Sequence, residues 1–281
     1  MPPLSMLLKP VSGNCNLRCS YCFYREELAH RETQSCGIMT DETMRRTIER
    51  AFSCAEGSCT FGFQGGEPLL WGIERYRRFV EYAGACNKNG IRVSYFLQTN
   101  GTLLNKEWAD FFREQDFLLG VSLDGGIHLH DRYRRDGEGN GSFCRVMDGI
   151  RYLTQAGVTY NILSVVTESA AIAVRKTYRF LRGQGFSYLQ FIPCMEALEP
   201  QGKAWACGLT PASYGRFLCE LFDLWYQELR EGEQVCIRQF DNYIDILCGY
   251  EPEACEMRGR CGIHYAVEAD GSVYPCDFYM L

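Results

Sequence analysis

The stretch Cys15-Asn-Leu-Arg-Cys19-Ser-Tyr-Cys22-Phe-Tyr24 places three cysteines within eight residues near the start of the chain. Thiolates are soft ligands that suit zinc and iron–sulfur clusters, and a closed site of either kind normally takes four protein ligands. This run supplies only three. Three thiolates that hold three irons of a [4Fe-4S] cluster leave the fourth iron open to a small molecule. The alternatives are a zinc site completed by a distant cysteine, or reduced structural thiols.

The composition is that of a protein with a full hydrophobic core. Its 281 residues are 46% hydrophobic, which suits one α/β barrel or two smaller domains. Sixteen cysteines occur without an export signal, and this favours metal sites over a disulfide framework. Ten of them are scattered singly, and we expect them to be packing residues: Cys36, Cys54, Cys59, Cys86, Cys144, Cys194, Cys207, Cys219, Cys236 and Cys248.

The charge pattern argues against nucleic-acid and membrane partners. The net charge is −6, and basic residues cluster only in short pairs such as Arg77-Arg78 and Arg134-Arg135, so no phosphate-binding surface is expected. No segment has the length of a membrane span, and the first residues lack the features of a signal peptide. A cytoplasmic location follows as the expectation.

Strands and helices are predicted to alternate along the first two thirds of the chain. The predicted strands span residues 5–9, 59–63, 91–97, 117–123, 158–166 and 188–192. Helices fall between them, one capped by Thr40, one beginning at Asn105 and one over 170–183, whereas 128–141 is predicted to be a polar loop. This alternation is typical of a parallel sheet, whose ligand sites lie at the carboxyl ends of the strands.

After Pro193 the alternation ends. Amphipathic helices are predicted from Pro211 and over 240–247, and Asp270-Gly271 between two alternating runs predicts a hairpin. A second group of three cysteines occurs here, with a partial zinc site as the alternative to a cluster. These residues are Cys255, Cys261 and Cys276. The four histidines show no paired metal-ligand spacing and are interpreted as structural: His30, His128, His130 and His264.

Two motifs together resemble a known family. Gly65-Gly66-Glu67-Pro68 follows the second predicted strand, and alone it would be no more than a tight turn. Paired with Cys-x3-Cys-x-aromatic-Cys after the first strand, it resembles the radical S-adenosylmethionine enzymes. The resemblance implies a partial (β/α)6 barrel in which Cys15, Cys19 and Cys22 bind a [4Fe-4S] cluster. The open iron of that cluster would chelate the amino and carboxylate groups of S-adenosylmethionine.

Further motifs narrow the resemblance to the anaerobic sulfatase-maturating enzymes. These motifs are Leu8-Lys9-Pro10, Cys22-Phe23-Tyr24, Phe63-Gln-Gly-Gly-Glu-Pro68, Gln98-Thr-Asn-Gly101, Ser122-Leu-Asp-Gly125, Leu189-Gln-Phe-Ile192 and Gly271-Ser-Val-Tyr-Pro-Cys-Asp-Phe-Tyr279. The family oxidises a Cys or Ser side chain of a sulfatase to Cα-formylglycine. The implied partners are a sulfatase polypeptide with a Cys/Ser-x-Pro-x-Arg motif and an electron donor. The alternatives are another peptide-modifying radical enzyme, which makes thioether or carbon–carbon crosslinks, and a non-enzymatic metal-binding fragment.

The resemblance also implies cofactor contacts for five residues. Tyr21 would contact the adenine through its backbone, and Gly66 would contact the methionyl ammonium group. Ser122 would contact the ribose or the carboxylate, Arg134 would face the cofactor carboxylate, and Met195 would pack on the adenosine. From composition alone, Arg134 would be a solvated arginine and Met195 a packing residue.

The C-terminal residues resemble the start of a cysteine-rich SPASM domain. The resemblance implies that Cys255, Cys261 and Cys276 bind an auxiliary [4Fe-4S] cluster, and that Asp277 is the general base that deprotonates the substrate thiol or hydroxyl. Gln64 and Tyr24 are expected to face the same cavity. The expected division of the chain is a radical SAM barrel over 1–208, a helical connection over 209–254 and a truncated SPASM-like segment over 255–281.

Overall fold

The computed structural model describes residues 3–31, 33–195, 208–262 and 264–279. The strands of these residues are β1 (Leu4–Leu8), β2 (Ser58–Phe63), β3 (Arg92–Thr99), β4 (Phe117–Ser122), β5 (Tyr160–Val166), β6 (Tyr188–Pro193), β7 (Cys236–Ile237), β8 (Tyr265–Val267) and β9 (Val273–Tyr274). The helices are α1 (Phe23–His30), α2 (Asp41–Cys54), α3 (Ile73–Cys86), α4 (Lys106–Glu114), α5 (Ile127–Tyr133), α6 (Phe143–Ala156), α7 (Glu168–Ile172), α8 (Val174–Gly183), α9 (Pro211–Arg230) and α10 (Arg238–Leu247). Short 3-10 turns cover Pro68–Trp71, Cys255–Met257 and Asp277–Tyr279.

One sheet organises the chain. Its strand order is β7-β6-β5-β4-β3-β2-β1-β8-β9, and every neighbouring pair is parallel except the β8–β9 hairpin. Because helices connect β1 to β6 in sequence order, this is the predicted α/β fold with a partial (β/α)6 barrel. Strand β8 extends the sheet beside β1, so the C-terminal residues lie next to the loop that carries the first three cysteines.

The core forms where the alternate, inward-facing residues of a strand pack against the apolar face of a helix. On β2, Cys59, Phe61 and Phe63 face the helices and are fully buried. The ring of Phe63 contacts Tyr76 and Phe79 on α3 at centroid distances of 4.9 and 5.1 Å. Burial of a large aromatic side chain contributes roughly 2–3 kcal/mol to stability. This packing fixes β2, and therefore the turn that follows it at the carboxyl end of the sheet.

Two predicted helix starts are confirmed by their capping bonds. Thr40 Oγ1 accepts a hydrogen bond from the N–H of Thr43 at 3.1 Å, and Asn105 Oδ1 accepts one from the N–H of Trp108 at 3.0 Å. Each bond satisfies a backbone donor that has no partner within the first helical turn. The predicted hairpin at Asp270-Gly271 is also present, between β8 and β9.

Three predictions of secondary structure are wrong. Helix α1 begins directly after Cys22 and was not predicted, because its apolar residues pack on the C-terminal segment through the Phe23–Phe278 ring contact rather than on a regular core stripe. The predicted loop over 128–141 begins within α5, where burial of His130 and Tyr133 stabilises a short polar helix. The single helix predicted over 170–183 is two helices, separated at Ala173.

The prediction that the isolated cysteines pack in the interior is only partly right. Cys59 is fully buried, whereas Cys194, although buried in a small cluster with two tyrosines, forms a disulfide and is not a free packing thiol. Four others are solvent-exposed, two on helices, one on the edge strand and one directly after α10, so packing does not explain them: Cys144, Cys219, Cys236 and Cys248. Cys207 lies outside the described residues. Among the helices that the structure describes, none is long and apolar enough to cross a bilayer.

Candidate active site

The loop that carries the first three cysteines, residues 11–22 between β1 and α1, is held by backbone hydrogen bonds. The N–H of Arg18 donates to the carbonyl of Arg135 at 2.6 Å, and the N–H of Ser20 donates to the carbonyl of Tyr133 at 3.0 Å. The carbonyl of Asn14 accepts from the N–H of Glu67 at 2.8 Å. The loop is therefore fixed between the Gly-Gly-Glu-Pro turn and the end of α5.

The thiols of Cys15, Cys19 and Cys22 are free and partly buried. Burial, with a smaller effect of the neighbouring thiolates, raises the pKa of Cys15 to about 12 and the pKa of Cys19 to about 11. The sulfur of Cys15 accepts hydrogen bonds from the N–H of Leu17 at 3.3 Å and from the amide of Asn100 at 3.7 Å. Such bonds stabilise negative sulfur and tune iron–sulfur clusters. This donor set fits a [4Fe-4S] cluster.

No three Cys, His, Asp or Glu side chains of the described part converge closely enough to bind a single metal ion. A four-iron cluster spreads its thiolate ligands farther apart than one ion does, because each thiolate binds a different iron. The assignment of the three cysteines to a cluster therefore stays a prediction that rests on the donor set and on the resemblance of the motifs.

The turn after β2 approaches the cysteine loop so closely that only glycine fits. Gly66 has a φ of +55°, and a Cβ at this position would lie 2.1 Å from the carbonyl oxygen of Asn14. The contact is to backbone, which cannot rotate away as a side chain can. Gly66 thus lies directly against the cysteine loop, where its predicted contact with the methionyl ammonium group would place it.

We predict that Gly66→Ala destabilises the protein by at least about 2 kcal/mol, because the new methyl group displaces the cysteine loop from the turn. Gly84→Ala on α3 is the matched control, since no atom lies within 4 Å of its added Cβ, and alanine should stabilise the helix by about 1 kcal/mol. Denaturant unfolding of cluster-free protein measures both changes. Wild-type stability and wild-type iron binding in Gly66→Ala would contradict the close approach.

Glu67 joins this turn to the end of β3 and was not singled out from the sequence. Its fully buried carboxyl accepts from the hydroxyl of Thr99 at 2.8 Å, from the N–H of Asn100 at 2.7 Å and from the N–H of Leu69 at 3.1 Å. Burial raises the pKa of Glu67 to about 7, although these donors favour the carboxylate. The Gly-Gly-Glu-Pro and Gln-Thr-Asn-Gly motifs are therefore parts of one network, which a pairing of the two motifs could have indicated.

Arg134, predicted to face a cofactor carboxylate, is only 7% exposed. Its Nε and Nη2 donate to the two oxygens of Asp124 at 3.0 and 3.2 Å, and the guanidinium lies over the ring of Tyr21. Tyr21 also donates its hydroxyl to Asp124. Burial alone would raise the pKa of Asp124, but the charge of Arg134 and the hydrogen bonds from Arg134 and Tyr21, together with His130, hold that pKa below its usual range. Within the described part of the chain, the guanidinium N–H groups that these two bonds do not use are available to an anion.

His130 supports the Asp124–Arg134 pair through hydrogen bonds of its neutral imidazole. Its Nδ1 accepts from the N–H of Asp124 at 3.4 Å, and its Nε2 lies 2.9 Å from Ser142 Oγ, which donates to the carbonyl of Arg134. The charged groups near it are Asp124, Arg134 and Asp131. Burial lowers the pKa of His130 to about 4, and a proton on Nδ1 would oppose the N–H of Asp124.

We predict that His130 makes stability depend on pH. A folded-state pKa below the unfolded value near 6.5 means that stability is present at neutral pH and is lost as pH falls towards 4. Between pH 7 and pH 5.5 the loss should be about 1 kcal/mol. Denaturant unfolding of cluster-free wild type should show this loss, and His130→Asn should not. The exposed His128 provides the control. If His128→Asn changed the pH dependence of the free energy of unfolding as much as His130→Asn does, the assignment of this dependence to His130 would be contradicted.

The other predicted cofactor residues lie at strand ends. Ser122 is the last residue of β4, half-buried, and Met195 follows β6 with 43% of its surface exposed. Tyr21 and Cys194 belong to the same small buried cluster, which brings the cysteine loop and the end of β6 together. The structure thus places the predicted residues along the carboxyl edge of one sheet. Their contacts with a cofactor stay predictions.

Asp277 lies in a network that also contains Tyr24 and Gln64, as the sequence suggested. The hydroxyl of Tyr24 donates to Asp277 Oδ2 at 2.7 Å and accepts from the amide of Gln64. Lys9, which the sequence did not single out, contacts Asp277 Oδ1 through its ammonium group at 2.6 Å. Asp277 is therefore bound to the end of β1 through Lys9 and to α1 through Tyr24, and Tyr24 links it to Gln64 at the end of β2. Only the tertiary fold brings these four residues together.

The second group of cysteines is more open. Cys255 and Cys261 are exposed and Cys276 is partly buried, and all three are free thiols. Burial raises the pKa of Cys255, and the charges of Glu256 and Cys276 raise it further. Whether these three residues bind an auxiliary cluster stays a prediction.

A cavity of about 760 Å³ opens inside the sheet. Inward side chains of the strands line it, among them Gln98, Leu163 and Gln190, and Gln64 connects it to the Asp277 network. The volume is in the range of small-molecule and peptide side-chain pockets. The cavity can hold a substrate side chain between two features. One is the carboxyl edge of the sheet, where the predicted cofactor residues lie, and the other is the carboxylate of Asp277.

Known proteins agree with this geometry. Residues 10–180 match the radical SAM superfamily. The cysteine-type anaerobic sulfatase-maturating enzyme of Clostridium novyi (strain NT) is 46% identical over 281 residues, 100% of this chain and 75% of that protein. The serine-type anaerobic sulfatase-maturating enzyme of Bacteroides thetaiotaomicron is 33% identical, and the match spans 99% of this chain and 70% of that protein. The structure of anSMEcpe with bound AdoMet and Cp18Cys peptide has a TM-score of 0.93 and 41% identity, over 100% of this chain and 75% of that one.

The match over more than half of the chain, on a partial barrel with the cysteine loop at its carboxyl edge, shows that the protein is a radical SAM enzyme. The chain spans about three quarters of the length of the curated relatives. At this identity and coverage it belongs to the anaerobic sulfatase-maturating enzymes. The expectations of fold class and enzyme class are confirmed.

Proposed function

We propose that this enzyme oxidises a peptidyl cysteine of a sulfatase to Cα-formylglycine, with serine as the alternative target. The observation that carries the proposal is the partly buried hydrogen bond from the Tyr24 hydroxyl to Asp277, with Gln64, which lines the cavity of the sheet, donating in turn to Tyr24. Cysteine is favoured over serine because identity to the cysteine-type relative is 46% and identity to the serine-type relative is 33%.

The proposed cofactors are a [4Fe-4S] cluster on Cys15, Cys19 and Cys22, and S-adenosylmethionine. Together, when bound, they supply a 5′-deoxyadenosyl radical that removes one hydrogen atom from Cβ of the target residue. The backbone at Gly66 and the free N–H groups of Arg134 would orient the amino-acid end of S-adenosylmethionine. The relative whose structure contains AdoMet supports this choice of cofactor.

The residues around Asp277 would complete the oxidation. Asp277 would take the proton of the substrate thiol while Gln64 and Tyr24 hold the sulfur in reach. Loss of one hydrogen atom, one proton and one electron leaves a carbon–sulfur double bond, which water converts to the aldehyde with release of hydrogen sulfide. We propose that Cys255, Cys261 and Cys276 would hold an auxiliary cluster, which would supply an acceptor for this electron.

The proposed partner is a sulfatase segment with a Cys/Ser-x-Pro-x-Arg motif, and a separate electron donor supplies the first electron. The peptide in the anSMEcpe structure supports a peptide substrate. On the wall of the cavity formed by α10, Glu253 is paired with Arg238 at 3.3 Å, and the two further carboxylates of Asp241 and Asp245 give this wall a negative excess that favours a peptide with a basic residue. The domain division at 208 and 254 and the cytoplasmic location also remain part of the proposal.

Anaerobic reconstitution with iron and sulfide, followed by incubation with S-adenosylmethionine, a reductant and a synthetic Cys-x-Pro-x-Arg peptide, tests the function. We expect 5′-deoxyadenosine and a peptide that an aldehyde-specific hydrazide traps. A thioether or carbon–carbon crosslink without aldehyde would show a different peptide-modifying radical enzyme. The absence of 5′-deoxyadenosine from fully reconstituted protein would contradict the assigned chemistry.

A further inference from the structure

Lys9 is a lysine that the proposed chemistry does not use, yet it is only 2% exposed. It directly follows β1, and its backbone N–H donates to the carbonyl of Val267 at 2.8 Å. Buried lysines are rare, because removal of an ammonium group from water is costly unless the charge is paired. The position of Lys9 therefore requires an explanation in its partners.

The aliphatic stem of Lys9 is held by the Gly-Gly-Glu-Pro turn. A Cβ at Gly65 would lie 2.8 Å from Lys9 Cγ, and Gly65 has a φ of +94°, so the turn leaves space there for the lysine stem and for nothing else. The stem is enclosed between the backbone of this turn and the first strand. This enclosure fixes the direction of the Lys9 side chain, independently of the partners of its ammonium group.

The ammonium group of Lys9 ends among groups from two other segments. Its Nζ lies 2.6 Å from Asp277 Oδ1, 3.6 Å from Glu27 Oε2 and 4.6 Å above the centre of the Tyr24 ring. Asp277 Oδ1 is buried and receives no hydrogen bond of good geometry from the residues that the structure describes, so among them the charge of Lys9 is its main interaction. The other oxygen, Oδ2, is held by the Tyr24 hydroxyl.

We infer that Lys9 is the positioning residue for Asp277. Asp277 lies in a short 3-10 turn near the end of the described chain, and a turn of this kind does not by itself hold a carboxylate in one orientation. Lys9 and Tyr24 bind one oxygen each, which fixes the plane of the carboxylate relative to the cavity that Gln64 enters. The inference rests on the proposed role of Asp277 as the base.

We expect that loss of Lys9 separates two steps that are coupled in wild type, namely formation of the 5′-deoxyadenosyl radical and formation of the aldehyde. Formation of the 5′-deoxyadenosyl radical depends on the cluster and cofactor residues, whereas the ammonium group of Lys9 contacts Asp277, Glu27 and Tyr24, so this step should not need the charge of Lys9. Removal of the thiol proton does need a correctly placed base, and a displacement of about 1 Å can cost on the order of 100-fold in rate. Without Lys9, the substrate radical should form and then fail to become aldehyde.

Lys9→Met tests the inference, because methionine keeps the stem and removes the charge. In reconstituted enzyme with a Cβ-deuterated cysteine peptide, we expect 5′-deoxyadenosine within about threefold of wild type, still carrying deuterium, and aldehyde at least about tenfold lower. Lys106→Met is the matched control, since the Lys106 side chain is 80% exposed on α4, and it should keep the wild-type ratio of aldehyde to 5′-deoxyadenosine.

The other outcomes are equally distinct. An unchanged ratio in Lys9→Met, or an equal fall of both products, would overturn the positioning role, because a purely structural defect lowers both. If Lys9→Met does not fold, Lys9→Gln keeps a hydrogen-bond donor near Asp277 and should show a ratio between those of wild type and Asp277→Asn. If wild type itself produces no aldehyde, the proposed function fails, and this result is separate from any result with Lys9.

Discussion

Replacement of Asp277 by Asn should lower aldehyde formation by at least about 100-fold while 5′-deoxyadenosine formation stays near the wild-type rate. Asparagine keeps the shape of the side chain and one acceptor oxygen, so the Tyr24 contact can persist. It cannot accept the thiol proton of the substrate. The measurement is the ratio of hydrazide-trapped peptide to 5′-deoxyadenosine in reconstituted enzyme.

Asp148→Asn provides the control for this experiment. Asp148 lies on α6, its side chain is mostly exposed, and its partner is Arg151. We expect both products at wild-type levels, because a surface ion pair contributes little to stability. Wild-type aldehyde from Asp277→Asn would remove Asp277 from the role of base. A loss of 5′-deoxyadenosine in the same variant would instead place Asp277 in cofactor binding.

Replacement of Cys19 by Ala should have the largest effect of all, because it removes a proposed ligand of the cluster. Changes to groups that only support a metal ligand already cost about 10–100-fold in affinity or activity, so loss of a ligand should exceed 100-fold. We expect the reconstituted protein to bind about four fewer irons per chain and to form neither 5′-deoxyadenosine nor aldehyde. Iron analysis and visible absorbance measure the cluster directly.

The exposed Cys144 on α6 gives the matched control, since Cys144→Ala removes a thiol of the same chemistry away from the cysteine loop. It should keep wild-type iron content and both products. Full iron content and activity in Cys19→Ala would contradict the assignment of the cysteine loop as the cluster site. Equal losses in both variants would indicate unspecific damage by cysteine replacement.

Local patterns in the sequence were sufficient to predict most of the barrel. The strands follow from short runs rich in apolar residues, and the helices that begin at Thr40 and Asn105 follow from side chains that cap the first turn. The same runs place the Cys-rich, Gly-Gly-Glu-Pro and Ser122 motifs at carboxyl ends of parallel strands. A site at that edge of the sheet was therefore predictable, and the structure places the motifs there.

The residues that support the site could not be predicted in this way. The contacts of Lys9 with Asp277 and of Tyr21 with Asp124 join residues that are distant in sequence, and no periodic pattern links them. Glu67 and His130 owe their roles to burial, which depends on neighbours from other elements. Helix α1 was missed for a related reason, since its apolar side chains meet the C-terminal segment instead of a regular core face.

The most direct test of the proposed reaction follows the hydrogen atom at Cβ. Wild-type enzyme, reconstituted anaerobically, would be given S-adenosylmethionine, a reductant and a peptide whose target cysteine carries two deuterium atoms at Cβ. Mass spectrometry would then measure the deuterium content of 5′-deoxyadenosine and of the peptide. We expect 5′-deoxyadenosine that has gained one deuterium, together with an equal amount of peptide aldehyde that has kept the other. Aldehyde formed while 5′-deoxyadenosine carries no deuterium, or deuterium transfer without any aldehyde, would contradict the proposed chemistry.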